Sequence, residues 1–266
     1  QARAEMLARL SCLLISVCVG ISFLSTPALS IPLDQAAKKL EAFKWYVEEY
    51  PPYNFKNKAG ETTGMAVDIL MAAFRKIGIG LRPKNLEIAP WNQAYKAIQM
   101  KPGTALFSMT YTPERQQIMK FVGPSVPSNI SIIAARAKKL SNIDTAQLAG
   151  LKIAVVRDDI GDQLMRKFAL SDDVMWKKNS LKQVLDLLFT ERVDAVAYAV
   201  DVFNWATKAA GVQPALYEEI KVLKKGQLGY AFHNSTNPEI LIPLQKAVDA
   251  LRADGTIDKI IKKYGK

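Results

Sequence analysis

From Phe43 onward the chain alternates short apolar runs with longer stretches of helical period, and partway along the alternation starts again. "FKWYV" reads as a strand that ends at the turn "EEYPPYNF". "GMAVDILMAAFRKIGI" places Met65, Ile69, Ala73, Phe74 and Ile77 along one helical stripe. "NLEI" reads as a strand, and "WNQAYKAIQM" as a helix with Trp91, Ala94, Tyr95 and Ile98 on one face. "TALFSMTYT" alternates like a strand, and a helix opens at Pro113. After the loop "FVGPSVPSN" the pattern restarts with the strands "ISIIAARA" and "LKIAVV" and the helices "DDIGDQLMRKFAL" and "SLKQVLDLLFTERV". The strand "DAVAYAV", the helix "DVFNWATKAAG", the strand "LGYAF" and a long C-terminal helix broken at Gly255 complete it. Repeated βα units predict an α/β fold with helices on the faces of a sheet. The 266 residues exceed what one small core needs and suit two modest lobes.

Residues 1–30 have a different character. Arg3 and Arg9 precede an apolar run from Leu10 to Leu24, and "STPALSIP" follows with Ala28 and Ser30 at the small positions. This is the pattern of a secretory signal, which predicts export across the inner membrane to the periplasm and cleavage near Ser30. The run is short for a membrane span, although a retained anchor is the other reading of it. Residues 31–40 are expected to be a linker.

Both cysteines, Cys12 and Cys18, fall in the signal segment, and His233 is the only histidine. The exported chain is therefore expected to carry no disulfide, no zinc site and no cofactor. The whole chain has a net charge of +11. Its lysines are scattered, without an aromatic and basic cluster, so nucleic acid is not expected as a partner. A general field favouring small anions or an anionic membrane surface is the milder reading.

One position stands out. Thr112 can cap a helix with its hydroxyl, and Pro113 suits the first helical position. Arg115 is then the third helical residue, where a cation meets the partial positive charge of the helix start. An anion held by the guanidinium would make that placement favourable. By chemistry alone, Arg115 is either such an anchor or a surface arginine on an amphipathic helix. Open sheets and interdomain clefts hold ligands at strand ends. The turns "EEYPPYNF", "APW", "SMTYTPER", "VVRDD" and "AYAVD" are therefore where ligand contacts are expected. Glu49, Arg157 and Asp158 are candidates by that position.

The segments "YPPYNF", "GMAVDIL", "APWNQAYKAIQ", "SMTYTPERQQIMKFVGP", "RVDAVAY" and "NPEILIPLQKAVDALRADGTIDKIIKKYG" resemble, in order, the family 3 extracellular solute-binding proteins of the polar amino-acid type. The resemblance covers nearly all of the chain after the signal. It implies a two-lobe periplasmic-binding-protein fold of type II, with lobes joined by two hinge strands crossing near Ile132–Arg136 and Lys225–Tyr230. Residues 41–134 and 229–266 would form lobe 1, which is discontinuous, and residues 135–228 lobe 2. Arg115 matches the family arginine that pairs with a ligand's α-carboxylate. Ser108 and Thr110 match positions that help hold that carboxylate, and Tyr50 and Trp91 match the aromatic walls around the ligand side chain. Tyr53 matches no ligand position so plainly and can pack the turn.

The second lobe departs from the family pattern. The turn "RDD", Arg157 to Asp159, stands where a small, hydroxyl-rich turn is usual. The position of the carboxylate that meets the α-ammonium falls on Ala199, with Asp201 two residues on. Asp201 either takes that role or caps the helix that follows. The resemblance thus implies a monomeric binding protein that captures a small anionic or zwitterionic solute by hinge closure, for an inner-membrane ABC permease or a sensor. The alternatives are a dehydratase-like enzyme on the same scaffold, for which Glu48, Glu49, Asp158 and Asp159 are the obvious cleft carboxylates, or the ligand-sensing partner of a membrane receptor.

Overall fold

In the computed structural model, which describes residues 31–171 and 173–265, the two runs of βα units become the two ends of one nine-stranded sheet. The signal expected over 1–30 lies outside the described residues. The first lobe opens with α1 (Leu33–Glu41), β1 (Lys44–Val47), β2 (Phe55–Lys56), β3 (Thr62–Thr63) and α2 (Met65–Lys76). It continues through β4 (Glu87–Ile88), α3 (Trp91–Met100), β5 (Thr104–Thr110), α4 (Pro113–Ile118) and β6 (Met119–Val122). The second lobe runs through β7 (Pro127–Ala135), α5 (Thr145–Leu148), β8 (Ile153–Val156), α6 (Ile160–Met165), β9 (Met175–Lys178), α7 (Leu181–Phe189), β10 (Ala195–Ala199) and α8 (Val200–Ala209). Strand β11 (Tyr217–His233) leads back to α9 (Pro238–Ala253) and α10 (Thr256–Lys263).

The order across the sheet is β4-β1-β5-β11-β7-β10-β8-β9, with β6 also on β11. Strands β4, β1 and β5 are parallel, as are β10, β8 and β9. Every residue of β5, β8 and β10 is buried, as expected for strands covered on both faces by helices. Strand β11 joins the two ends. Its residues Tyr217 to Gln227 pair with β7, and from Leu228 its partner becomes β5, then β6 as well. Pro127 is the first residue of β7, so two adjacent backbones pass between the lobes. Ile132 and Ala134, in the segment expected to carry a crossing, lie within β7 and pair with Ala197 and Ala195 of β10.

Four local outcomes differ from the sequence reading. The segment expected as a linker holds α1, because Ala36, Ala37 and Leu40 share one buried stripe. The Trp45 indole donates to the Leu40 carbonyl at 3.0 Å and fixes that helix to β1. The helix opening at Pro113 stops at Ile118, and Met119 to Val122 extend to pair with β11; a sheet partner outweighs local helical period here. The half-buried "MWKK" of β9 has no alternation to mark it as a strand. Strand β11 is longer than "LGYAF", because its lysine-rich first half is also hydrogen-bonded in the sheet.

Trp45 anchors the first core, edge-on to Phe74, Phe107 and Phe232 at centroid distances of 5.2, 6.0 and 5.4 Å. The chain's end packs on the same lobe. Tyr264 Oη lies 3.0 Å from Thr63 Oγ1 and from Asp68 Oδ2, and Lys263 pairs with Asp68 at 2.8 Å. In the second lobe, Ile132, Ile153, Val155, Ala195 and Ala197 form a separate apolar layer. There, Gly161 in α6 faces the Ala197 carbonyl so closely that a Cβ would collide with it. A side chain at that position would push α6 off β10, so glycine sets how deeply the start of α6 enters the cleft.

Candidate functional site

Arg115 is held from both sides in sequence. Thr112 accepts the backbone N–H of Arg115 through its hydroxyl at 3.1 Å, and Pro113 starts the helix. That cap fixes which way the third helical residue leaves α4. The side chain enters the interior, where Arg115 is only 2% exposed. Its Nη1 donates to the Thr110 carbonyl at 3.3 Å, and its Nε donates across the lobes to Gln163 Oε1 of α6 at 3.2 Å. The guanidinium carbon lies 5.4 Å from the Trp91 ring centroid and 5.5 Å from that of Tyr95. Those two rings are stacked at 4.8 Å on the face of α3. Among the described residues Arg115 forms no ion pair, and its Nη2 has no hydrogen-bond partner. A buried guanidinium with no carboxylate at ion-pair distance and an unbonded Nη2 is costly to hold, and an anion bound at Nη2 offsets that cost.

The remaining first-lobe candidates sit on β5, at the start of α3 and on the turn after β1. Ser108 adopts a left-handed φ of 50°, unusual for a residue with a side chain, and its hydroxyl donates to Asn54 Oδ1. Asn54 in turn donates to the Glu48 carbonyl at 2.8 Å. Thr110 is buried and supplies the carbonyl already bound to Arg115. Tyr50 stacks on Tyr53 at 5.5 Å and meets Tyr198 of β10 edge-on at 5.9 Å. Trp91 Nε1 is buried without a partner among the described residues. The consecutive glutamates after β1 part company: Glu49 is exposed and accepts the Lys56 N–H at 3.2 Å, while Glu48 is buried.

In the second lobe, Arg157 is exposed and contributes its N–H to the Lys178 carbonyl at 2.8 Å. Asp158 has a left-handed φ of 60°; its carboxylate pairs with Arg166 at 2.8 Å. Asp159 occupies the position before α6, buried, with no side-chain capping bond and with Oδ2 lacking a partner among the described residues. Asp201, in the first turn of α8, accepts the Tyr53 hydroxyl at 2.6 Å across the lobes. Gln163 and Tyr198 were not singled out in the sequence. Gln163 Nε2 also donates to the Asp158 carbonyl at 2.8 Å and to Tyr95 Oη at 3.3 Å.

The buried charges act on one another. Burial drives the Glu48 carboxyl well above the usual carboxylate range; Asp159 pushes it further and Arg115 opposes. Burial raises the Asp159 carboxyl to about 6, against the pull of Arg115 and of the Ile160 N–H. Tyr50 and Tyr198 are also pushed up, by burial first and then by Asp159. Two cavities open beside this cluster, each lined from both lobes. One of about 400 Å³ reaches Tyr95, Thr112, Arg115, Asp158, Ile160 and Gln163. The other, of about 380 Å³, reaches Glu48, Trp91, Val156, Ser180, Leu181 and Tyr198. Paired apolar walls with a few convergent polar groups are the usual make-up of a small-molecule site.

Comparison with known proteins bears on the fold and the family. Residues 45–266 match the bacterial extracellular solute-binding proteins, family 3. A probable histidine-binding protein from Campylobacter jejuni is 24% identical over 220 residues, covering 81% of each chain. The substrate-binding protein of an ABC uptake transporter from Streptococcus pneumoniae, solved with bound histidine, superposes with a TM-score of 0.74 at 14% identity. That match covers 87% of this chain and 95% of that one. A histidine kinase sensor domain with similarity to periplasmic binding proteins superposes with a TM-score of 0.73 at 19% identity, over 84% and 96% of the two chains.

Proposed function

This chain belongs to the bacterial extracellular solute-binding proteins of family 3, and from that premise we propose that it captures a small, amino-acid-like carboxylate between its lobes and delivers it to an inner-membrane ABC importer. The observation that carries the ligand class is Arg115, a buried guanidinium with an unpartnered Nη2 against the Trp91 and Tyr95 rings. A charge-assisted bond to a carboxylate contributes roughly 1.5–3 kcal/mol, and a fork of two adds direction. Thr110 and Ser108 shape the pocket beside that carboxylate, Trp91 and Tyr50 wall the rest of the ligand, and a relative named as a histidine-binding protein is consistent with an amino acid there.

Capture works by closure. Gln163 reaches Arg115 and Asp201 reaches Tyr53 only when the lobes are together. Lys167 and Glu114 add an exposed pair at 2.9 Å over the same seam. A ligand that touches both lobes shifts the equilibrium toward this state by its differential affinity for it. The periplasm is the proposed site of action; among the described residues no helix is long and apolar enough to cross a membrane. A thermal-shift screen across amino acids, keto acids and aromatic carboxylates tests the ligand class. Stabilisation by one or more carboxylates is expected, and stabilisation only by sugars or cations would overturn the proposal.

A further inference from the structure

Arg115 meets the second lobe through a neutral side chain. Gln163, on α6, accepts the guanidinium Nε–H at 3.2 Å through Oε1. The amide cannot be turned the other way, because its Nε2 donates to the Asp158 carbonyl at 2.8 Å and to Tyr95 Oη at 3.3 Å. A flipped amide would set donor against donor at Arg115 and carbonyl against carbonyl at Asp158. Arg115, Gln163, Asp158 and Tyr95 all line the same cavity of about 400 Å³. The carboxylates of that cavity are engaged elsewhere: Glu114 pairs with Lys167 at 2.9 Å and Asp158 with Arg166 at 2.8 Å. A guanidinium carries five N–H donors. The one on Nε goes to Gln163 and one on Nη1 goes to the Thr110 carbonyl, so the three that remain all belong to Nη1 and Nη2.

We infer that Gln163 is a positioning residue for the captured carboxylate: it clamps the Arg115 guanidinium from the second lobe through a neutral acceptor, holding Nε while leaving the Nη end and the positive charge to the ligand. The inference rests on the reading of Arg115 as the carboxylate anchor. Neutrality is what separates glutamine from its acidic counterpart at this place. An amide carbonyl accepts one bond from Nε and leaves the charge uncompensated. A carboxylate of the same length would reach the edge formed by Nε and Nη2 and satisfy the arginine from within the protein. A ligand anion would then have to displace it. Closure and capture become one event, because the Gln163 bond forms only with the lobes together and the end it leaves free is completed by an anion. The same amide also holds Tyr95, the ring stacked on Trp91 and lying 5.5 Å from the guanidinium carbon, so one side chain of α6 fixes both the cation and the aromatic wall beside it. Gly161 lets α6 come close enough for this reach, since a side chain there would collide with the Ala197 carbonyl.

The test uses the full chain, freed of carried ligand by unfolding and refolding, and checked by circular dichroism. The L-α-amino acids are ranked by thermal shift. The tightest one and its matched carboxamide are titrated calorimetrically, and their release is followed by stopped flow. The parent is expected to prefer the acid by at least about 100-fold. Gln163→Glu is expected to bring that preference to within about threefold of unity, because its own carboxylate competes with the acid and not with the amide. Gln163→Met keeps the length and removes both hydrogen-bonding ends. It is expected to leave the preference standing while both compounds dissociate at least about tenfold faster. A residue that only shaped the α6 turn would weaken acid and amide alike in both variants, and that result overturns the inference. Parental preference in Gln163→Glu overturns it too, as does parental dissociation in Gln163→Met, which decides alone where the glutamate variant does not fold. If the parent shows no preference for the acid, or Arg115→Ala binds the acid as the parent does, the underlying carboxylate reading fails instead.

Discussion

The Tyr53 hydroxyl donates to Asp201 Oδ2 at 2.6 Å, and this bond ties the turn after β1 to the first turn of α8 in the other lobe. Two residues past Tyr53 and four past Asp201, Phe55 and Trp205 meet at a centroid distance of 5.2 Å. The seam therefore has a polar fastening inside an aromatic rim, separate from the Arg115 side of the cleft.

Tyr53→Phe removes the hydroxyl and keeps the ring that stacks on Tyr50. A hydrogen bond to a charged acceptor is worth about 1.5–3 kcal/mol. The expected result is ligand affinity weakened by roughly tenfold or more, carried mainly by faster release, with the unfolding midpoint of the ligand-free protein little changed. Stopped-flow displacement and a denaturation curve measure the two.

Gly161→Ala puts a methyl against the Ala197 carbonyl. Overpacking of this kind costs about 1–3 kcal/mol, and here it also displaces α6, which carries Gln163 and follows Asp159. Both urea stability and ligand affinity are expected to fall. A variant with parental affinity would show that the depth of α6 does not position the site.

The pH dependence has a defined sign. Asp159 titrates near 6 in the folded protein, above its ordinary value of 3.8, because burial penalises its charged form. The stability this raised carboxyl contributes is present while it is protonated and is lost as pH rises from about 4 through about 6. Glu48 is shifted in the same direction. Asp159→Asn in the ligand-free protein is therefore expected to gain stability relative to the parent at pH 7.5, on the order of 2–3 kcal/mol, and little at pH 4. Denaturant midpoints of the two proteins at both pH values check it.

Leu40→Ala tests whether α1 is part of the fold. Leu40 is fully buried, and its carbonyl accepts the Trp45 indole N–H. Truncation at such a site costs about 2–5 kcal/mol. Stability is expected to drop while ligand affinity stays within about threefold, because α1 is remote from the cleft.

Much of the fold was legible because its elements bury whole stripes or whole strands. The stripe Met65, Ile69, Ala73 and Phe74 marks α2, and "AVAYA" marks β10 as a strand covered on both faces. What escaped notice had weak or mixed patterns. "YEEIKVLKKG" is half solvated, and Met119 to Val122 continue a helical period until pairing with β11 claims them. Thr112 and Pro113 marked the helix start that carries Arg115, but that pattern left an inward anchor and a surface arginine both open, because a cap fixes where a helix begins and not what its third residue meets. Glu48 and Glu49 could not be told apart, since Tyr46 and Val47 are both buried and the pleat of β1 shows no outward face. Gln163 left no mark in the sequence, because its reach to Arg115 depends on the close packing of Gly161 against β10.

The central claim is that the Arg115 guanidinium holds the ligand's carboxylate. Its most direct test is calorimetric titration of Arg115→Ala with the amino acid that most stabilises the parent protein, on samples whose circular dichroism matches. Affinity at least about 100-fold weaker, with the fold intact, is the predicted result. Binding as tight as the parent's would contradict it.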